Sequence, residues 1–154
     1  MGNYNQIGCN FESTGVASGS VAYRIAFNTE RGKLFRDHAY ESNQEFAFGL
    51  LCKLSDHSDL NFTFNYVDQE LGGHLLGGVP VDEDGNFILP ISFNTNEPAD
   101  FQNMDAKVLQ SILNHSFNDS LRMRMGIRYL TNKRSQQYHE PRGFITGSIT
   151  TMER

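Results

Sequence analysis

The side chains best suited to hydrolytic chemistry are Ser55, His57 and Asp59, in the segment SDHSD at 55–59. They match the residue types of a nucleophile, base and acid triad, but a triad needs them in a defined mutual geometry. Three residues on one tight turn lie too close in sequence to adopt it. We therefore predict no catalytic residue and no enzyme activity in this chain.

The residues that could bind a metal ion or a nucleotide lack the necessary spacing. The 5 histidines are scattered, with no pair four residues apart on a helix. The run DEDGN at 82–86 resembles a calcium loop, but the ligand spacing is wrong. The run GGHLLGG at 72–78 lacks the strand and helix of a dinucleotide site. We expect Cys9 and Cys52 to be free thiols that pack as small apolar residues. The sequence does not decide whether they form a disulfide. We predict no metal site and no cofactor.

Positive charge is concentrated in LRMRMGIRYL at 121–130, where apolar residues alternate with arginines. This alternation is typical of a β-strand with one apolar and one cationic face. In a soluble protein the arginines would face water. In an outer-membrane barrel the apolar face would contact lipid and the arginines would line a polar lumen. This strand alone does not decide between the two arrangements.

The same two-residue period recurs along the chain and predicts an all-β fold of antiparallel up-and-down strands. Strands are predicted at 3–13, 20–30, 44–54, 59–68, 106–117 and 120–131, with a weaker candidate at 143–152. No segment approaches the ~18 apolar residues of a transmembrane helix. The predicted strands are instead close to the about 9–11 tilted residues that cross a bilayer as a strand.

Short and long connections alternate between these strands. Polar turns are predicted at 14–19, 55–59 and 118–120, and long connections at 31–43, 70–105 and 132–142. Antiparallel strands place all the long connections at one end, as in outer-membrane barrels.

One predicted strand face mixes small residues with charges, which suits a wall facing water better than a dry core. We therefore predict that Arg24, Arg122, Arg124 and Arg128 face the lumen of a barrel. Phe27, Tyr66 and Tyr129 lie at the long-loop ends of their predicted strands. They could form an aromatic girdle at a membrane interface or close the end of a soluble core, and both remain open.

Composition limits the classes of partner. The 154 residues carry a net charge of −5, and no second basic strand supports the arginines at 121–130, so we predict no nucleic-acid partner. The start, MGNYNQIGCNF, lacks the basic and apolar regions of a signal peptide.

The connection 70–105 is the strongest candidate for ligand binding, because long loops on a rigid scaffold often carry binding sites. His74, Phe87 and Phe93 are its candidate ligand-binding residues. The same loop could instead fold on itself over the mouth of a barrel.

Four segments resemble, in order, early barrel hairpins of TonB-dependent siderophore receptors. They are GSVAYRIAFNTERGKLFRDH, NQEFAFGLLCKLSDHSDLNFTFNYVDQE, GVPVDEDGNFILPISFNTNEPADF and VLQSILNHSFNDSLRMRMGIRYLTNKRSQQYHEP. The resemblance covers roughly residues 15 to 140, most of the chain. No single motif among them is diagnostic, and the resemblance rests on their order.

This resemblance implies a transmembrane barrel of about 22 strands with a plugged lumen. Its partners would be a ferric siderophore, outer-membrane lipid and the TonB complex of the inner membrane. The plug domain, the TonB box and the closing strands of the family pattern are not recognisable here. We expect residues 1–154 to be an incomplete part of the barrel domain of an outer-membrane receptor, unable to transport alone.

The alternative is a soluble small β-barrel that binds an apolar small molecule, as lipocalins do. In that case the Met/Ile face of 121–130 would be core, and the chain would be monomeric in plain buffer.

Overall fold

The computed structural model describes residues 3–74, 78–82, 84–139, 143–144 and 152–153. Six long strands form one antiparallel sheet in chain order, with β1 and β6 at its edges. They are β1 (Ile7–Ser18), β2 (Val21–Lys33), β3 (Tyr40–Ser55), β4 (Ser58–Gly72), β5 (Phe101–Ser116) and β6 (Arg122–Gln137). A short 3-10 turn at Asn3–Asn5 precedes β1. No helix in the described part of the chain is long and apolar enough to cross a membrane.

The all-β, up-and-down prediction is confirmed, but the strands are longer than predicted, at 12 to 16 residues. Hydrogen bonds of the ladder join backbone groups, so pairing continues where the side chains are polar on both faces and the apolar alternation has ended. The segment 14–19 was predicted as a turn and instead belongs mostly to β1, where Val16 lies opposite Ala22. Most of the predicted strand 143–152 falls outside the described residues, which there form only β7 (Gly143–Phe144) and β8 (Met152–Glu153).

The connections alternate in length as predicted. Short turns join β1 to β2 at 19–20, β3 to β4 at 56–57 and β5 to β6 at 117–121. The connections 34–39 and 73–100 and the segment after β6 lie at the opposite end of the sheet, which we call the loop end. The antiparallel order therefore gathers all the longer connections at one end.

One face of the sheet carries a continuous apolar belt. Residues opposite each other on neighbouring antiparallel strands point to the same face. The row through Ile25 contains Phe48, Phe64, Leu109 and Tyr129 on the next four strands. The belt comprises this row and its neighbours, with residues Val21, Tyr23, Ile25, Phe27, Phe46, Phe48, Leu50, Cys52, Leu60, Phe62, Phe64, Tyr66, Leu109, Leu113, Met125, Ile127 and Tyr129.

The last row of the belt on its loop-end side is aromatic. Phe11, Phe27, Phe46 and Tyr66 lie opposite one another on β1 to β4, and Lys107 of β5 continues the row. The Lys107 ammonium lies 5.3 Å from the centre of the Tyr66 ring, a cation–π distance. Beyond this row the same face becomes polar, with Thr29, Gln44, Asp68, Asp105 and Lys133 side by side.

The sheet does not cover its own belt. Among the described residues the buried apolar core is a single residue, Ala39, and the other buried side chains are polar and lie in the 73–100 connection. Leu109, on the interior strand β5, is 40% exposed, and Ile127, on the edge strand β6, is 74% exposed. The belt therefore has no protein layer packed against it.

Two tyrosines on the belt face cover glycines of the neighbouring strand. Tyr40 lies opposite Gly72, and a Cβ at Gly72 would fall within the Tyr40 ring. The Tyr40 hydroxyl donates to Glu70 over 2.7 Å. Tyr23 lies over Gly15 less closely, since a Cβ at Gly15 would be 3.3 Å from the Tyr23 ring. Because these glycines have no side chain, each ring can lie flat against the backbone of the next strand.

The two cysteines are free thiols and lie far apart. Cys9 pairs with Thr29, and Cys52 pairs with Val21 of the same strand. Eight residues of β2 separate these positions, about 26 Å along a strand. A disulfide requires Cα atoms within about 7 Å, so the register excludes this pair.

Candidate binding surface

The face opposite the belt is polar and carries cavities. One, with a volume of about 540 Å³, is lined in part by Asn10, Glu12, Asn28, Glu45 and Asn65. A second, of about 260 Å³, is lined in part by Thr14, Ala22, Arg24, Gly49 and Thr63. The small residues of this face leave room beside the charged ones, so the polar face offers recesses that water or a polar partner can fill.

The four arginines predicted to face a lumen all point to this polar face. Arg24 and Arg128 lie in one row, separated by Gly49, Thr63 and Gln110. The Arg24 guanidinium contacts the Glu12 carboxylate over 2.9 Å, with both side chains largely exposed. This pair holds charge in water and contributes little to stability.

Arg122, Arg124 and Arg128 form a column along β6. They lie opposite Ser116, Asn114 and Gln110 of β5, all uncharged. No carboxylate within the described residues forms an ion pair with any of the three. The column therefore presents uncompensated positive charge along the edge of the polar face, four strands away from the Arg24–Glu12 pair.

The three loop candidates for ligand binding lie apart in their local structure. His74 follows Gly73 at the end of β4 and is exposed. Phe87 forms an isolated bridge with Val81 and is 63% exposed, while the Phe93 amide donates to Pro90. No hydrogen bond or ring contact joins these three side chains within the described part of the chain.

The segment at 82–86 forms a turn. The Asp82 carboxylate accepts from the amides of Asp84 and Asn86 and from the Asn86 side chain, at 2.7 to 3.0 Å. These donors, the Asn86 side chain first, hold the pKa of Asp82 below its usual range. With its oxygens directed at the protein's own amides, this carboxylate stabilises the turn.

A buried aspartate joins the loop-end segments. The Asp100 side chain is fully buried and accepts from the Glu97 amide at 2.8 Å and from the His139 amide at 3.1 Å. Its other oxygen contacts His139 Nδ1 at 2.7 Å. The Asp100 carbonyl accepts from the Gly73 amide at 3.1 Å. Asp100 thus connects the end of β4, the start of β5 and the segment after β6.

A buried asparagine adds the remaining connection. Asn94 Nδ2 donates to the carbonyls of Asp37 and Gly73, at 2.8 and 2.7 Å. The Asp37 amide in turn donates to the Ser92 carbonyl at 2.8 Å. We call the hydrogen-bonded group of Asp37, Gly73, Asn94, Asp100 and His139 the loop-end cluster. It fixes the 34–39 and 73–100 connections relative to each other.

Sequence reasoning missed this cluster, because its members are far apart in the chain and follow no spacing rule. The local signal was the run of Asn, Asp and Pro in NTNEPAD at 94–100, whose side chains commonly bond to nearby backbone. That signal indicates a structured turn, and it does not reveal the partner His139.

The triad candidates Ser55, His57 and Asp59 lie at the end of the sheet opposite the loop end. His57 lies in the turn after β3, and its amide donates to Ser55 Oγ at 3.2 Å. The Ser58 hydroxyl lies 2.8 Å from His115 Nδ1 across two strands, and the His115 ring packs edge-on against Phe117. No group of three or more metal-ligating side chains converges among the residues that the structure describes.

No protein-family model matches the chain, and no curated protein sequence matches it. Among solved structures, it is similar to FpvA of P. aeruginosa in a complex with a heterologous ferric pyoverdine, with a TM-score of 0.70 and 18% sequence identity. The likeness covers 90% of this chain and 19% of that chain. The chain thus has the fold of part of FpvA and spans about a fifth of the length of that chain.

Proposed function

We propose that this chain is part of the barrel of an outer-membrane receptor that binds a ferric siderophore and imports it with energy from the TonB complex. The observation that carries the proposal is the uncovered apolar belt with its aromatic border. A soluble protein rarely exposes so extensive an apolar face, whereas a lipid-facing barrel wall requires one.

The dimensions of the belt fit a bilayer. It runs from Val21 to Phe27 on β2 and from Phe46 to Cys52 on β3. Seven residues span about 24 Å along a strand at about 3.4 Å each, and a barrel tilt of roughly 40° reduces this to about 18 Å. This length already includes the aromatic row, and it covers about three quarters of the apolar band of about 25 Å seen in outer-membrane barrels.

The polar face and the edges fit a barrel interior and a larger sheet. The Arg122, Arg124 and Arg128 column would be costly against lipid but is readily solvated in a polar lumen. Within the described residues β1 and β6 each pair on one side only. A lipid-spanning sheet leaves no open edge, so we infer that further strands complete the barrel.

The ligand is inferred from the structural relative and from the sequence resemblance. FpvA is solved with a ferric pyoverdine, which makes a ferric siderophore the ligand class to test. The 73–100 connection, at the end where a ligand would arrive, is the segment of this chain best placed to contribute contacts. We infer a binding and transport role without bond chemistry in this chain.

Membrane insertion is tested with two neighbouring residues that point to opposite faces. Phe62 lies in the belt and Thr63 on the polar face. Phe62→Arg should impair folding of the full-length protein that contains this chain, from urea into phosphatidylcholine vesicles, by about 2–4 kcal/mol, while Thr63→Arg should fold nearly as the parent does. Protection from added protease reports folding. A chain that is monomeric and cooperatively folded in plain buffer, and ignores vesicles, would instead support the soluble barrel.

Ligand binding is tested in the organism that makes the protein. Disruption of the coding sequence should abolish uptake of radioactive iron supplied as one ferric siderophore and leave uptake of unrelated chelates unchanged. Deletion of 79–91 should reduce uptake with normal amounts of protein in the membrane. Unchanged uptake of every ferric siderophore after disruption would reject the receptor proposal.

A further inference from the structure

A basic patch lies just outside the aromatic row on the belt face. β2 continues past Phe27 with Thr29, Arg31 and Lys33 on that face. Arg31 is four residues beyond Phe27, about 13 Å along the strand, and Lys33 is two residues further. If the belt sits in hydrocarbon, these two cations lie at the level of the lipid headgroups on the loop-end side.

The two cations have no protein partner of opposite charge. Their side chains form no ion pair or hydrogen bond with any residue that the structure describes. Arg31 lies opposite Ser42, and Lys33 opposite Tyr40. The side chains opposite them on β3 are therefore neutral, and the Ser42 hydroxyl lies beside Arg31.

The carboxylates at the same level are on the far side of β3 or engaged elsewhere. Glu70 accepts from the Tyr40 hydroxyl, and Asp105 pairs with the Lys107 ammonium at 3.3 Å. Asp68 lies opposite Asp105. In the adjacent 34–39 connection, Asp37 accepts a long hydrogen bond of 3.5 Å from Ser92. The positive charge of β2 is thus separated from the acidic groups of β4 and β5.

A cavity adjoins Lys33. It has a volume of about 380 Å³, and its lining includes the cations Lys33 and Arg36, one carboxylate, Asp37, and the rings of Tyr4, Phe35 and Tyr40. Phe35 is 51% exposed, and the Arg36 guanidinium lies 5.6 Å from its ring centre. Aromatic rings beside cations are the composition expected of a membrane interface, where rings pack on the upper acyl chain and cations reach phosphate.

We propose that Arg31 and Lys33, with the cavity beside them, bind the phosphate of an anionic lipid headgroup in the leaflet at the loop end. This inference rests on the proposed function, because it requires the belt to be in a bilayer. The guanidinium can bind phosphate through two hydrogen bonds, and the ammonium adds a point charge. The proposed ligand of this surface is therefore a lipid. Free inorganic phosphate could supply the same chemical group, and the experiment distinguishes the two.

The experiment measures lipid selectivity of the full-length protein that contains this chain, reconstituted in phosphatidylcholine vesicles. Spin-labelled phosphatidic acid and spin-labelled phosphatidylcholine report the association of each lipid with the protein surface. We expect the parent chain to prefer phosphatidic acid. The double variant Arg31→Gln with Lys33→Gln should lose up to about thirtyfold of that preference, the value for two cations near an anionic surface. Arg31→Lys, which keeps the charge, should lose less.

The matched control removes the same two charges elsewhere. Lys133 and Arg134 are consecutive residues of β6, four strands away at a similar level of the sheet. Lys133→Gln with Arg134→Gln should keep the preference for phosphatidic acid. An equal loss in both double variants, or no loss in the first, would overturn the inference.

Two further measurements distinguish lipid from free phosphate, and the lipid-site inference from the proposed function on which it rests. Inorganic phosphate at tens of millimolar should not displace the labelled lipid, and full displacement would assign the site to free phosphate instead. Protease protection in pure phosphatidylcholine reports insertion independently. A full-length protein that inserts without lipid selectivity rejects this inference alone, whereas a full-length protein that never inserts rejects the proposed function as well.

Discussion

Asp100 and His139 form a 2.7 Å contact between a fully buried carboxylate and a half-exposed imidazole, linking the start of β5 to the segment after β6. Asp100 also accepts from two backbone amides, so one side chain satisfies three donors. Buried polar groups in such arrangements are stabilising only while every partner is present. The loop end is therefore held by a small number of groups that can be tested singly.

Removal of the Asp100 carboxylate should loosen the loop end. Asp100→Ala leaves the amides of Glu97 and His139 without acceptors and should destabilise this region by about 2–4 kcal/mol. Hydrogen exchange at the amides of Gly73 and His139 would measure the loss of protection. Asp119→Ala, in the turn after β5, is the control and should leave exchange at the loop end unchanged. Equal protection in Asp100→Ala and the parent would show that the cluster is not stabilising.

Gly73 should not tolerate a side chain. Its φ is +60°, and a Cβ there would lie 2.9 Å from Asn94 Nδ2. Gly73→Ala combines an unfavourable backbone conformation with displacement of Asn94, and should cost about 1–3 kcal/mol in urea unfolding of the reconstituted full-length protein. At Gly78 a Cβ meets nothing within 4 Å. Gly78→Ala should be close to neutral, and similar midpoints for the two variants would contradict the predicted role of Gly73.

The Tyr40 ring should depend on the absence of a side chain at Gly72. A Cβ at Gly72 would fall 1.9 Å from a Tyr40 ring carbon, so Gly72→Ala must displace the ring and its hydrogen bond to Glu70. We expect a loss of about 1–3 kcal/mol in the same unfolding measurement. Gly49→Ala is the control, because a Cβ there has only one neighbour, at 3.9 Å. Tyr40→Phe, which keeps the ring, should lose only the hydrogen bond.

The turn at 82–86 should weaken in acid. Accepting hydrogen bonds lowers the pKa of Asp82 in the folded state, so its contribution is present above the unfolded pKa and is lost as pH falls through the folded value. The transition should therefore lie below the usual range for aspartate. The chemical shift of the Asn86 amide during an acid titration measures it. Asp82→Asn should remove the transition, and its persistence would assign the titration to another group.

Oxidation should not join the two thiols. Cys9 and Cys52 lie on non-adjacent strands, and their register keeps them apart. Treatment with a disulfide-forming oxidant should leave both thiols available for alkylation within one chain, as mass spectrometry would show. A Cys9–Cys52 bridge formed under folded conditions would require a different strand register.

Alternation predicted which residues share a face, and it did so for strands with a clear polar and apolar side. Ile25, Phe48 and Phe64 were predicted to be on the apolar face because each has polar or small neighbours on both sides, and the strand register then places them in one row. It also placed the four arginines on one face, although their assignment to a lumen stays a prediction. These results follow from the fixed two-residue period of a strand.

The strand ends and the loop-end cluster were not predictable in this way. The extension of β6 to Gln137 depends on backbone pairing with Phe101, and polar residues there give no alternation. At 14–19, turn-forming residues suggested a loop, but pairing of Val16 with Ala22 keeps the segment extended. The contact of Asp100 with His139 spans 39 residues and is set by the sheet, which brings the ends of β5 and β6 together.

The bond from the Gly73 amide to the Asp100 carbonyl means that the 73–100 connection starts and finishes at one point. The residues between Gly73 and Asp100 can therefore change in number and sequence while these two ends stay in place. Inserting residues into such a loop costs only a slowly rising closure entropy. The connection can therefore be exchanged as a unit. A foreign peptide inserted at the exposed turn near Gly85 would be displayed without altering strand register. The same property would allow ligand preference to diversify by exchange of this segment on an unchanged wall.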